Sequence, residues 1–195
     1  MQRICFVCTG NICRSPMAEF LFRDLAQRAG LGGAFSVASA AVSDEECGNP
    51  VYPPARRILA AHGIDCRGKT ARQLRPQDAE AFDLFVGMDD SNLRGMRRIL
   101  GPAAQGRIHL LLEYADRPGQ EVADPWYTGD FAAAWADIAA GCAGLLRALS
   151  GAAGGIFAGW MGRRRTKNGL IKKKSKNGTA IRNATAERAY PTLSA

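Results

Sequence analysis

At 195 residues and 47% hydrophobic content, the chain is long enough for one domain with a sizeable core and a remainder. Its formal charge of +8 is unevenly placed: residues 1–150 hold 16 Lys+Arg against 17 Asp+Glu, and residues 151–195 hold ten against one, so the basicity belongs to the tail. Six scattered cysteines are too few for a disulfide scaffold and point to a reducing compartment, no run of 18 apolar residues predicts a membrane span, and no charged-then-apolar leader precedes the first strand, so a cytoplasmic location is expected.

The apolar run at residues 4–7 reads as a buried strand. Residues 16–29 read as a helix with Met17, Phe20, Leu21, Leu25 and Ala29 at helical spacing, Pro16 in its first turn and Gly30 at its end. "FSVASAA" (35–41) predicts a second strand and "PPARRILAAHG" (53–63) a second helix. "DLFVGM" (83–88) predicts a third strand, followed by a helix opened by Asp and Ser capping residues. "RIHLLLEY" (107–114) predicts a fourth strand; a long loop over 115–129 then leads to a helix from about 130 to 149. Strict alternation of strands and helices predicts an open four-stranded parallel α/β sheet with helices on both faces. In such sheets functional residues gather at the carboxyl ends of the strands, which here brings Cys8, residues 88–90 and the 115–129 loop to one edge.

At that edge stands "CTGNICRS", residues 8–15. A loop between a strand and a helix N-terminus points several backbone N–H groups at one spot, where the helix dipole adds positive potential. Thr9, Gly10, Asn11, Ile12 and Cys13 line this anion cradle, and Arg14 adds a planar fork for two phosphate oxygens. Cys8 at its floor is a thiolate nucleophile aimed at phosphorus. Ser15 is placed to donate a hydrogen bond to that thiolate, and Asn11 to lock the loop. The pattern C-x5-R alone arises by chance, whereas C-x5-R-S between a strand and a helix is specific. Cys5, Cys66 and Cys142 read as small buried hydrophobes, and the Cys5–Cys8 C-x-x-C spacing as incidental.

Phosphate hydrolysis also needs an acid for the leaving oxygen and then a base for water. "VADPWYTGDF" (122–131) supplies Asp124, a stiffening Pro125, and Trp126 and Tyr127 as walls for a flat aryl group.

With "FVCTGNICRSPMAE", "SAAVSD", "HGI", "ARQL", "FDLFVGMDDSNL" and "DPWYTGDF" in order over residues 3–149, the body resembles the low-molecular-weight protein tyrosine phosphatase family. The resemblance implies a four-stranded parallel sheet flanked by helices and hydrolysis of phosphotyrosine in proteins through a phosphocysteine, without a metal or other cofactor. It implies Cys8 as nucleophile, Arg14 as phosphate and transition-state ligand, Asp124 as general acid and then base, and Asn11, Ser39 and Ser15 as supports. It also implies a reversible Cys8–Cys13 disulfide that shields the nucleophile from irreversible oxidation. Where many members carry a tryptophan after "SAAVSD", this chain has Glu45, Glu46 and Cys47. That leaves the aryl stacking to Trp126 and favours basic peptide flanks. Where members often have a loop-bracing histidine before "ARQ", this chain has Lys69 and Thr70. His62 and His109 read as structural.

A protein arginine phosphatase on the same fold is the alternative; Ile12 and Trp126 favour the aryl slot over it. A thioredoxin-linked arsenate reductase needs two further cysteines after the third strand, and none lies between Cys66 and Cys142. A binding protein without turnover is disfavoured by the joint presence of Cys8, Arg14 and Asp124. Residues 1–150 thus form the phosphatase domain. Residues 151–195 read as a Gly/Ala-rich linker and a basic, disordered tail, with electrostatic binding to anionic lipid or nucleic acid as its other reading. The break is also compositional: one lysine in the body, five in the tail.

Overall fold

The structure is a computed structural model and describes residues 1–152; the expectations for the tail beyond them lie outside the described residues. Strands β1 (Gln2–Cys8), β2 (Phe35–Ala41), β3 (Leu84–Gly87) and β4 (Ile108–Leu110) form one parallel sheet of order β2-β1-β3-β4. The register sets Cys8 beside Ala41, Val7 beside Gly87, and Gly87 beside Leu110. The carboxyl ends of all four strands therefore meet at one edge.

Strand β1 is central and covered on both faces, which is why its sequence is a continuous apolar run rather than an alternation. Phe6 meets Phe22 of helix α1 (Arg14–Arg28) on one face, with ring centroids 5.8 Å apart. Cys5 and Val7 face the other way. They pack with Leu93, Met96 and Leu100, which belong to a later helix (Asp90–Leu100). Helices α2 (Pro53–Ala61) and α3 (Asp78–Ala81) precede that one, so it is α4; α5 (Pro125–Thr128) and α6 (Phe131–Ala152) complete the order. Cys5, Cys66 and Cys142 are buried as expected, and burial pushes all three thiols up, Cys5 to about 12.

Several details differ from the sequence expectations. The apolar side chains buried on α1 are Met17, Ala18, Leu21, Phe22 and Ala26, so Met17 and Leu21 lie inside as expected, while Phe20 and Leu25 are half-buried and Ala29 is exposed. Ala18 belongs inside because α6 packs closely there: the Cys142 Sγ lies 3.7 Å from the Ala18 carbonyl. The fourth strand ends at Leu110 rather than Tyr114. Its partner β3 has only four residues, so past Leu110 there is no neighbour to pair with, and Leu111–Ala115 turns into a 3₁₀ helix that buries Leu111 and Leu112. Helix α5, of four residues, lies in the 115–129 segment expected to be a loop, and α3, also of four residues, lies where no element was expected.

Helix α6 is, over Phe131–Gly151, long and apolar enough by length and composition to cross a membrane, with a mean hydropathy of 1.3. Ala134, Trp135, Ile138, Cys142, Leu145 and Leu149 are nevertheless buried at three- and four-residue spacing. It is a core helix of this domain, tucked against α1 and the 3₁₀ turn.

Candidate active site

Cys8 is the last residue of β1, and α1 opens at Arg14. The five residues between them wrap around the thiol. Asn11 takes a left-handed backbone, φ 58°, and its N–H then points at the Cys8 Sγ, 3.3 Å away. Asn tolerates this conformation better than most side chains. The Ser15 hydroxyl lies 3.0 Å from the same sulfur. At Gly10 the loop comes close to the Glu46 side chain: a Cβ there would lie 3.0 Å from the Glu46 Cγ.

The Asn11 side chain does not face the cleft; it is fully buried behind the loop. Its amide nitrogen donates to Ser15 Oγ at 2.8 Å and Ser39 Oγ at 2.7 Å, while its oxygen accepts the Arg72 N–H at 3.1 Å. The expected roles of Asn11, Ser15 and Ser39 as supports thus correspond to one connected cluster. Glu19 and Lys69 extend it, and neither was singled out from the sequence as a support. Glu19 sits on the α1 face that the periodicity left unassigned, whereas Lys69 stands in the region where similar sequences carry a loop-bracing histidine, and it joins the same cluster.

Arg14 is 2% exposed, and a guanidinium so buried needs acceptors. It has three. Nη1 donates to Asp89 at 2.7 Å and to the Val122 carbonyl at 3.1 Å, and Nη2 donates to Asp124. Burial pulls the Arg14 pKa down, but the negative charges of Cys8, Asp124 and Asp89 outweigh it and the net direction is up. Asp89 was read only as a helix cap. It does cap α4, accepting the Asn92 N–H at 2.8 Å with one oxygen, and it holds Arg14 with the other.

Asp124 caps α5 in the same manner, accepting the Trp126 N–H at 3.1 Å through Oδ1 while Oδ2 meets Arg14. Pro125 at the first helical position makes this short turn stiff. The next two residues therefore project outward: Trp126 is 54% exposed and Tyr127 85%. Trp126 leans on Tyr52, centroids 5.2 Å apart, and Tyr52 on Phe131 at 6.0 Å. Tyr52 is the member of this aromatic wall that the sequence did not reveal; its N–H also holds the Ile12 carbonyl at 2.8 Å.

Together these elements enclose a cleft of about 170 Å³, lined by Cys8, Thr9, Gly10, Ile12, Cys13 and Arg14 on its floor. Asp124, Trp126 and Tyr127 form one wall, and Glu45 and Glu46 the other. Cys13 is buried with a free thiol, pushed up to about 12 by burial first and by the neighbouring Cys8 charge second. A thiol, a buried guanidinium and a carboxylate at one mouth, backed by the N-terminus of a 15-residue helix, are built for an anion that is attacked by sulfur.

The sequence profile of the low molecular weight phosphotyrosine protein phosphatases matches residues 3–153. The chain belongs to that family. The low molecular weight protein-tyrosine-phosphatase YfkJ of Bacillus subtilis is 41% identical over 150 residues, which is 76% of this chain and 96% of that protein. The human low molecular weight phosphotyrosine protein phosphatase is 37% identical over 131 residues, 66% of this chain and 82% of its relative. The crystal structure of YfkJ superposes with a TM-score of 0.74 at 39% identity, covering 77% of this chain and 96% of its own. A drosophila arginine phosphatase superposes with a TM-score of 0.68 at 29% identity, covering 76% and 98%. The family's shared fold thus extends over the same residues that build the cleft.

Proposed function

We propose that this member of the family is a protein-tyrosine phosphatase. Cys8 is its nucleophile, Arg14 its phosphate ligand and Asp124 its proton donor and acceptor. The observation that carries the reading is the convergence of these three side chains on one cleft from the ends of β1, α1 and the loop before α5.

The phosphoryl dianion enters the cradle of N–H groups and takes the Arg14 fork in place of Asp124. The Cys8 thiolate attacks phosphorus as the bond to the tyrosyl oxygen breaks, and Asp124, protonated, gives that oxygen its proton. The product is a phosphocysteine and a free tyrosine. Asp124, now a carboxylate, takes a proton from water as the water oxygen attacks phosphorus; the sulfur leaves as thiolate and inorganic phosphate is released. Asn11 N–H and Ser15 stabilise the thiolate at the start and as leaving group.

Ile12, Trp126 and Tyr127 make the slot apolar and flat, suited to an aryl group. Glu45 and Glu46 on the opposite wall favour substrates with Lys or Arg beside the phosphotyrosine. Cys13, on the same tight loop as Cys8, serves as the resolving thiol if Cys8 is oxidised.

Arginine phosphatase activity is the second reading, because the similar drosophila structure carries that name. Phosphate release from a phosphotyrosine peptide and a phosphoarginine peptide, run in parallel with Cys8→Ser as blank, decides between them. Tyrosine-selective release, lost in the blank, supports the proposal. Arginine-selective release overturns the substrate assignment, and no release from the folded protein overturns the activity.

A further inference from the structure

Where similar sequences carry a tryptophan after "SAAVSD", this chain has Glu45, Glu46 and Cys47, so stacking on an aryl group falls to Trp126. The Trp126 main chain is fixed by its N–H on Asp124 Oδ1, 3.1 Å away. The side chain is 54% exposed, and an indole so open keeps one rotamer only if a neighbour holds it. Tyr52 is that neighbour. The two ring centroids lie 5.2 Å apart at an interplanar angle of 58°, within the range of favourable tilted aromatic pairs. Tyr52 stands behind Trp126, outside the lining of the cleft.

Tyr52 is itself fixed by ring and by backbone. Its ring lies 6.0 Å from that of Phe131 and packs against the buried cluster of Ile12, Cys13 and Ala71. Its N–H donates to the Ile12 carbonyl at 2.8 Å, and its own carbonyl accepts the Arg56 N–H of α2 at 3.0 Å. Both bonds belong to the main chain, so a change of side chain at Tyr52 leaves them in place. Ile12 lies on the floor of the cleft and Trp126 on its wall. One residue therefore joins floor to wall, by its backbone to the first and by its ring to the second.

We infer that Tyr52 is a positioning residue that sets aryl specificity: its ring, seated against the Ile12 floor, holds the Trp126 indole ready to stack on the ring of a phosphotyrosine. The inference rests on the reading of the cleft as a phosphotyrosine site. Without the Tyr52 ring, Trp126 is ordered only when substrate arrives, and that ordering is taken from the binding energy. Trp126 meets the aryl ring, not the reacting phosphorus, so the contact is the same before and in the transition state. Its loss acts on KM and leaves kcat alone.

The test uses the full chain with Tyr52→Leu, Tyr52→Phe and Trp126→Ala, and Tyr52→Leu in the Trp126→Ala background, with melting curves to establish folding. The readouts are kcat and KM on a phosphotyrosine peptide and the Ki of inorganic phosphate, which fills the cradle but not the aryl slot. Tyr52→Leu is expected to raise KM about fivefold, the scale of ordering one large side chain on binding. The kcat and the phosphate Ki should stay within about twofold of the parent. Tyr52→Phe keeps the ring and should keep the parent KM. In the Trp126→Ala background Tyr52→Leu should add nothing, because the indole it acts through is gone. A folded Tyr52→Leu protein with KM within about twofold of the parent overturns the inference, as do a phosphate Ki that rises in step with KM and losses that multiply in the double variant. If Tyr52→Leu does not fold, Tyr52→Met takes its place with the same expected rise, and an unchanged KM there overturns the inference equally. Time-resolved fluorescence anisotropy needs no turnover; the Trp126 share is the difference between each protein and its Trp126→Phe counterpart. That share should gain a fast, subnanosecond decay in Tyr52→Leu, and an indole held equally in parent and variant overturns the inference. A parent protein without phosphatase activity in which Tyr52→Leu still frees Trp126 refutes the proposed function and leaves the positioning role standing.

Discussion

The guanidinium of Arg14 donates through Nη2 to the carboxylate of Asp124, across 110 residues of sequence. The two proposed partners in phosphoryl transfer are thus paired with each other when no phosphate is bound, and substrate must take the Arg14 fork from Asp124. Asp124→Asn removes the proton donor and the ion pair together. It keeps the cap on α5, because Asn accepts the Trp126 N–H as well as Asp does. We expect kcat on a phosphotyrosine peptide to fall by about 10²–10⁴ with the melting temperature nearly unchanged. The loss should be smaller on p-nitrophenyl phosphate, whose leaving oxygen has less need of a proton. Equal losses on the two substrates would remove Asp124 from the role of acid.

Asp89 holds the other end of the same guanidinium. Burial pushes its carboxyl up, but hydrogen bonds from Ser91, the Asn92 N–H and Arg14 outweigh burial, so the net direction is down. The unfolded chain therefore takes up this proton at a higher pH than the native one. The stability Asp89 contributes is fully present above its unfolded value of about 3.9, and is lost as pH falls through the lowered folded value. Asp89→Asn has no such proton to take up. Urea midpoints measured from about pH 5 down to about pH 2 should fall less steeply for Asp89→Asn than for the parent. Parallel curves would show that the carboxylate does not contribute in this way.

The sites that sequence made legible are those where chemistry and local geometry coincide. Cys8, Arg14 and Ser15 sit at a strand-to-helix junction that the apolar run and the helical spacing locate without ambiguity. Asp124 was legible because Asp-Pro followed by two aromatics is a stiff turn with a flat wall. What escaped was set by tertiary contact. Nothing in the sequence marked Glu19 as buried, and Lys69 was noted only as standing in place of a loop-bracing histidine until the fold set both against Ser39. Asp89 gave a capping signal that hid its second oxygen's task. The run at 107–114 is apolar throughout, so nothing in it marks where the sheet ends; the length of β3 does. Residues 16–29 show a further limit, since apolar size pointed to Phe20 and Leu25 while the close approach of α6 placed Ala18 inside.

Cys13 is buried, and its thiol, at about 12, is protonated near neutral pH. Oxidation should therefore begin at Cys8, not Cys13. Hydrogen peroxide takes the Cys8 thiolate to a sulfenic acid, releasing hydroxide. The Cys13 sulfur then attacks the sulfenic sulfur, forming the disulfide as the Cys13 proton and the displaced hydroxyl leave as water. We expect peroxide-treated protein to show this disulfide by peptide mass mapping and to regain activity with dithiothreitol. Cys13→Ser should be inactivated at a similar rate but recover little, because its sulfenic acid goes on to irreversible states. Full recovery of Cys13→Ser would leave Cys13 with packing alone.

The hold of α6 on the domain rests on glycine. A Cβ at Gly144 would lie 1.8 Å from the Tyr114 carbonyl oxygen, and that oxygen is backbone and cannot swing aside. At Gly151, in the same helix, a Cβ meets nothing within 4 Å. Alanine has the higher helix propensity at both, so propensity alone predicts a small gain at each. Packing predicts a contrast. Gly144→Ala should cost about 3 kcal/mol by urea unfolding, since helix and 3₁₀ turn must separate to admit the methyl. Gly151→Ala should stay within about 0.5 kcal/mol of the parent. The 3₁₀ turn follows β4, and β4 ends beside β3 at the edge where the cleft opens. Separation there should also lower kcat in Gly144→Ala while Gly151→Ala keeps the parent value. If the two variants unfold at the same urea concentration, the close packing of α6 on the Tyr114 carbonyl is not what holds this helix in place.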